Sequence, residues 1–189
     1  PTYLKAASIT EKVLEENPSH PGALHYTIHA YDEPTHAHLG LQMAETYAQV
    51  APGSEHALHM PSHIYIRVGR YQDAVIANQK GVMADRNYLA SPHPQSIYTI
   101  AYVPHNYHFL WFAAVMSGQS EIAMEAAQKT AAVDPSLMAN PALSGKIQHF
   151  SVVPLYTEVR FGKWDKILET PAPKTDLKYA TGEIGRASC

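Results

Sequence analysis

The chain has 189 residues, 46% hydrophobic and 16% charged, with a formal net charge of -3 and a pI near 6.5. That charge, with Lys and Arg scattered rather than striped, excludes an electrostatic footprint for nucleic acid, and no apolar run approaches the roughly 20 residues that span a bilayer. The single cysteine, Cys189, excludes an intrachain disulfide and a thiolate metal cluster within one chain.

Apolar periodicity and the punctuation by Gly and Pro predict a soluble all-α chain, with helices at about 3–17, 21–32, 36–50, 54–68, 71–87, 104–117, 119–133, 146–161 and 163–169. The first begins without a Met and reads as the second helix of a unit, so the chain is expected to be a slice of a longer array, and its compartment cannot be read. Pro21 and Pro104 sit where a first-turn proline favours initiation. Pro61 and Pro154 fall inside predicted helices, where each removes a donor and is expected to kink or restart the helix. At the C-terminal end, KYATGEIGRASC opens another helix-like stretch and stops.

The punctuation repeats. Pro18 and Pro52 lie 34 residues apart, the tetratricopeptide period, and the phrase Gly69-Arg70-Tyr71-Gln72-Asp73-Ala74 recurs at Gly118-Gln119-Ser120-Glu121 and Gly162-Lys163-Trp164-Asp165. With Thr35, Gly69, Gly118 and Gly162 as unit origins, thirteen residues back stand Gly22, His56, His105 and His149. Ten back stand His25, His59, His108 and Val152, and six back stand His29, His63, Phe112 and Tyr156. Eight of these twelve positions are histidine, which packing alone explains poorly. The remaining histidines, His20, His36, His38 and His93, fall outside the register, and His36 and His38 read as surface residues.

This pattern resembles the tetratricopeptide repeat family, and HALHMPSHIYIRVGRY and PHNYHFLWFAAVMSGQ resemble more narrowly the subgroup typified by tetratricopeptide repeat protein 38 and its bacterial relatives. The resemblance implies an α-solenoid of stacked antiparallel helix pairs over 1–189. Its units are expected at about 19–52, 53–100, 101–145 and 146–175, with partial units at 1–18 and 176–189. It also implies a groove lined by His25, His29, His56, His59, His63, Arg67, His105, His108 and His149, because those places line the groove in the family. Arg67 and Arg160 would hold a carboxylate or phosphate there, or remain solvated. The Lys and Asn cluster with which related chaperone-binding repeats clamp a C-terminal carboxylate is missing. Departures from the 34-residue period place insertions near 86–100 and 136–145, where a segment can fold over a binding surface.

The chemistry follows from spacing. His25 with His29 and His59 with His63 are spaced i,i+4, while His56 with His59 and His105 with His108 are spaced i,i+3, so each pair leaves one side of a helix. His25, His29, His56, His59, His63, His105 and His108 are therefore candidate ligands for a transition metal such as zinc or copper, since imidazole sets disfavour calcium and magnesium. Asp32, Glu33 and Tyr65 are candidates to add oxygen ligands or to hold a ligand's second nitrogen. Trp111, Phe112 and Phe109 read as core.

Three functions fit: a module binding a peptide or protein partner; a metal carrier or metalloenzyme in which Asp32 or Glu33 serves as base; and a metal-free scaffold whose histidines charge together near pH 6.5. A plain polar seam of histidines between helices fits the same pattern.

Overall fold

The computed structural model describes residues 2–90, 92, 96–134, 136–137 and 140–171. His93, Cys189 and the partial unit at 176–189 lie outside them. Among the described residues the chain is all-helical, with no strand, and no helix is long and apolar enough to cross a membrane.

Two compact units divide the chain, at 1–94 and 95–189. The first contains α1 (Thr2–Glu16), α2 (Pro21–Tyr31), α3 (Leu41–Val50), α4 (Glu55–His59), α5 (Pro61–Arg67) and α6 (Tyr71–Leu89). Its core is built from Leu24, Ile28, Tyr31, Ala44, Ala57, Met60 and Ile64, contributed by α2, α3, α4, α5 and the residue between α4 and α5. The second contains α7 (Val103–Met116), α8 (Ser120–Ala131), α9 (Ser144–Arg160) and α10 (Trp164–Glu169), and buries Leu110, Ala113, Ala123, Ala127, Ile147 and Val153.

The glycine origins of the sequence repeat are one structural device used three times. Gly69, Gly118 and Gly162 have φ of 78°, 75° and 63°, in the left-handed region. Around each, two amides reach back over the end of the preceding helix: Gly69 to Ile66 and Arg70 to Tyr65, Gly118 to Val115 and Gln119 to Ala114, Gly162 to Val159 and Lys163 to Glu158. This is the Schellman cap, which satisfies the last carbonyls and turns the chain into the next helix. Thr35, the fourth origin, lacks that freedom. The chain there makes a 3-10 turn, Ala37–Gly40, before α3, so the helix expected from 36 starts late.

The prolines divide. Pro21 opens α2, where His20 Nδ1 accepts the Ala23 amide at 3.1 Å as a side-chain cap, giving that histidine a local structural role. Pro61 interrupts the helix expected over 54–68, and α4 and α5 meet at Met60. Pro154 does not: α9 continues through it from Ser144 to Arg160. The first expected insertion is helical at both ends, since α6 runs to Leu89 and a π-helical turn, Tyr98–Tyr102, feeds directly into α7.

Candidate functional site

Five of the register histidines gather in the first unit. His25 and His29 leave α2, His56 and His59 leave α4, and His63 leaves α5. Their rings form a closed circuit, with centroids 4.7 Å apart for His25–His29, 5.1 Å for His29–His63, 5.0 Å for His63–His59, 5.7 Å for His59–His56 and 5.0 Å for His56–His25. A kink or restart at Pro61 would weaken the shared face of His59 and His63. The face is kept, because Met60 holds helical dihedrals of -52° and -37°, and the i,i+4 relation passes through the junction. Their Nε2 atoms stand 3.1 Å apart.

Polar partners aim these rings. Asp32, the C-cap of α2, contacts His63 Nδ1 at 2.8 Å through one carboxylate oxygen and accepts from Arg67 Nε at 2.7 Å through the other. Asn78 Oδ1, from α6, lies 2.7 Å from His59 Nδ1, and Tyr47 Oη lies 3.4 Å from His25 Nδ1. Asn78 reaches His59 because α6 carries Gly81 one turn on. A Cβ there would come within 3.2 Å of the Glu55 carbonyl and 3.3 Å of His59 Cβ, so the missing side chain permits a close approach of α6 to α4.

The electrostatics keep the outer imidazoles neutral. Burial, followed by charge at neighbouring histidines, lowers His25, His29 and His56 from 6.5 to about 4. Burial works to raise Asp32, and the hydrogen bonds from His63 and Arg67 overcome it, holding the carboxyl below its ordinary value. Joint charging near pH 6.5, expected of a metal-free scaffold, is thereby displaced downward for these three rings.

Ligand atoms of His25, His29 and His56 lie within 4.8 Å of one another, as do those of His29, Asp32 and His63. His59 and His63 are buried at 0% and 6% exposure, while His29 is exposed, so the cluster opens to solvent on one side.

His105, His108 and His149 belong to the second unit, where an aromatic ring stands beside each. His105 stands 4.7 Å from Phe109, and His108 stacks on Trp111 at 5.0 Å, with Phe150 at 5.5 Å and His149 edge-on at 5.2 Å. Burial, then His149 and Lys146, lowers His108 to about 4, and its Nε2 is buried without a hydrogen-bond partner among the described residues. Arg67 is committed to Asp32, and Arg160 is exposed beside Phe161. Glu33 accepts from the Thr35 and His36 amides and pairs with the His36 ring, away from the cluster's contacts. His38 is exposed, as expected. Tyr65 packs under the Arg70 guanidinium at 4.5 Å. Phe112, expected in the core, is 37% exposed.

Asn78 and Tyr47 are the functional residues that sequence reasoning misses. Asn78 left one trace, as a poor helix former in the middle of YQDAVIANQKG. No family model matches the chain, and no curated protein matches it.

Proposed function

We propose that the first unit binds a transition metal through its histidine cluster, within a helical-repeat binding module of the kind the sequence resembles. The convergence of His25, His29 and His56, with ligand atoms within 4.8 Å of one another, carries the reading. Metal binding requires neutral imidazoles, and these three stay neutral far below physiological pH. The exposed edge of His29 gives an ion a way in. A nitrogen set of this kind suits zinc, copper, nickel or iron.

The groups behind the rings support the same reading. A ligating histidine commonly donates its other N–H to a carboxylate or an amide oxygen, which fixes the tautomer, and Asp32 and Asn78 stand in that relation to His63 and His59. The same commitments weigh against hydrolytic catalysis: Asp32 is occupied by His63 and Arg67, and Glu33 by its own turn, so neither is free to act as base. Binding is therefore the better-supported role. The stacked-pair solenoid and a peptide or protein partner follow from the repeat resemblance and belong to the proposal on that footing.

Elemental analysis of the untagged chain, stripped with chelator, reloaded with zinc or copper and desalted, tests the reading. We expect a stoichiometric metal in the wild type and at least a hundredfold weaker binding in His25→Ala/His56→Ala. A wild type that retains no metal after loading would sink the proposal.

A further inference from the structure

A second concavity lies in the first unit, clear of the histidines. Residues of α1, α2 and α3 line a cavity of about 510 Å³ whose apolar wall includes Leu14, Leu24 and Met43. Leu24 belongs to the core, and Leu14 and Met43 pack half-buried against it. The volume falls within the roughly 300–1,000 Å³ of small-molecule sites, which combine an apolar lining with a few converging polar groups.

The charged groups here are of one sign. Glu11 and Glu15 enter the lining from successive turns of α1, and no lysine or arginine joins them. Among the described residues neither carboxylate takes part in a salt bridge. Carboxylates four residues apart on a helix repel each other. The helix adds to the field, since its last turn carries no basic residue and its carbonyl end, the negative pole, falls at Glu16, beside the lining residues Glu15 and Pro18. Tyr31 fixes one of the pair. Burial, then the hydrogen bond to Glu11, raises its phenol to about 12, so it keeps its proton and donates it to Glu11 Oε1 at 2.5 Å, which leaves Oε2 for another donor.

We propose that this cavity binds a small organic cation, an ammonium or guanidinium group on an apolar body, with Glu11 and Glu15 holding the charge and Leu14, Leu24 and Met43 the body. A neutral molecule would leave the two like charges unrelieved, and an anion would add a third. A metal ion fits the lining poorly: calcium takes about six to eight oxygens, and among the described residues no converging set of three ligand groups includes either glutamate. Met43, unbranched and polarizable, lets the wall follow the shape of the body it covers. No histidine lines the cavity, so this site stands or falls separately from the metal reading.

Phenethylamine, cationic at pH 7.5, is the probe, and 2-phenylethanol is its neutral match. Each is titrated at low salt, with chelator present, into chain carrying carbon-13 methionine methyls, the Met43 resonance being identified by its loss in Met43→Leu. The amine is expected to shift the Met43 methyl saturably, and the alcohol to bind at least tenfold more weakly. Glu15→Gln, at an exposed position, should weaken the amine about threefold, because one screened charge is lost, and Glu11→Gln/Glu15→Gln should weaken it at least tenfold. Gln42→Trp, which places a large ring in the lining from an exposed position on α3, should abolish the shift. Equal affinity for amine and alcohol overturns the proposal, as does an amine that leaves the Met43 methyl unmoved or binds the double variant as tightly as the wild type. Should the double variant fail to fold, Glu15→Gln and the comparison of amine with alcohol on the wild type decide.

Discussion

The two units place histidine at the same counted positions and surround it differently. In the first, His59 and His63 meet Asn78 and Asp32, polar groups that choose a tautomer and aim the other nitrogen. In the second, His108 lies against Trp111 and Phe150, its Nε2 without a hydrogen-bond partner among the described residues, and Trp111 spends its own N–H on Thr157 at 2.6 Å. The register sets where an imidazole leaves the helix. Its neighbours decide whether the ring is aimed by polar partners or packed among aromatic ones.

The strongest way to break this comparison is through Asp32. Asp32→Asn keeps the shape and removes the charge behind His63, and loss of such a partner typically costs 10–100-fold in metal affinity. We expect a loss of that size in competition with a chromophoric chelator, and none from His108→Phe. Equal losses from both would erase the distinction between the units.

Stability sharpens it next. Asn78→Leu leaves His59 Nδ1–H buried without its amide acceptor and should destabilise the metal-free chain by about 1–3 kcal/mol in urea melts. His108→Phe keeps the stacking on Trp111 and removes a buried nitrogen that has no hydrogen bond, so its effect should lie within about 1 kcal/mol and lean toward stabilisation. A larger cost for His108→Phe than for Asn78→Leu would reverse the assignment of roles.

The smallest expected effect is that of pH on the metal-free protein, because the outer imidazoles keep partial solvent access and their interactions are screened. Their folded values near 4 lie below the unfolded 6.5. Between those values the unfolded chain binds more protons, so stability is full above about pH 6.5 and declines as pH falls toward about 4. Urea midpoints at pH 7.5, 5.5 and 4.5 should show that decline shrinking in His25→Ala/His56→Ala more than in His108→Phe, since three such groups lie in the first unit against His108 in the second.

Much of this was legible in the chain. The spacing of Gly69, Gly118 and Gly162 marks three identical caps because only a residue without Cβ takes that conformation cheaply, so turn chemistry is written locally. The histidine register likewise brings together the five imidazoles of the first unit. What stayed hidden depends on partners remote in sequence: Asn78 is 19 residues from His59, and Asp32 is 31 from His63. Pro154, for a related reason, does not restart the helix. A proline inside a helix costs a hydrogen bond, yet the packed faces of α9, with Val152, Val153 and Leu155 buried, hold the helix together around it.

Gly81 has no side chain to offer an ion, yet it acts as a spacer gauge. Replacing it with alanine gains about 1 kcal/mol of helix propensity while forcing α6 away from the Glu55 carbonyl and His59. The gain and the strain oppose each other in stability, whereas only the strain reaches the aim of Asn78. A screen that ranks variants by melting temperature is therefore blind to damage at this position, and the glycine has to be protected on functional grounds when the chain is engineered for robustness.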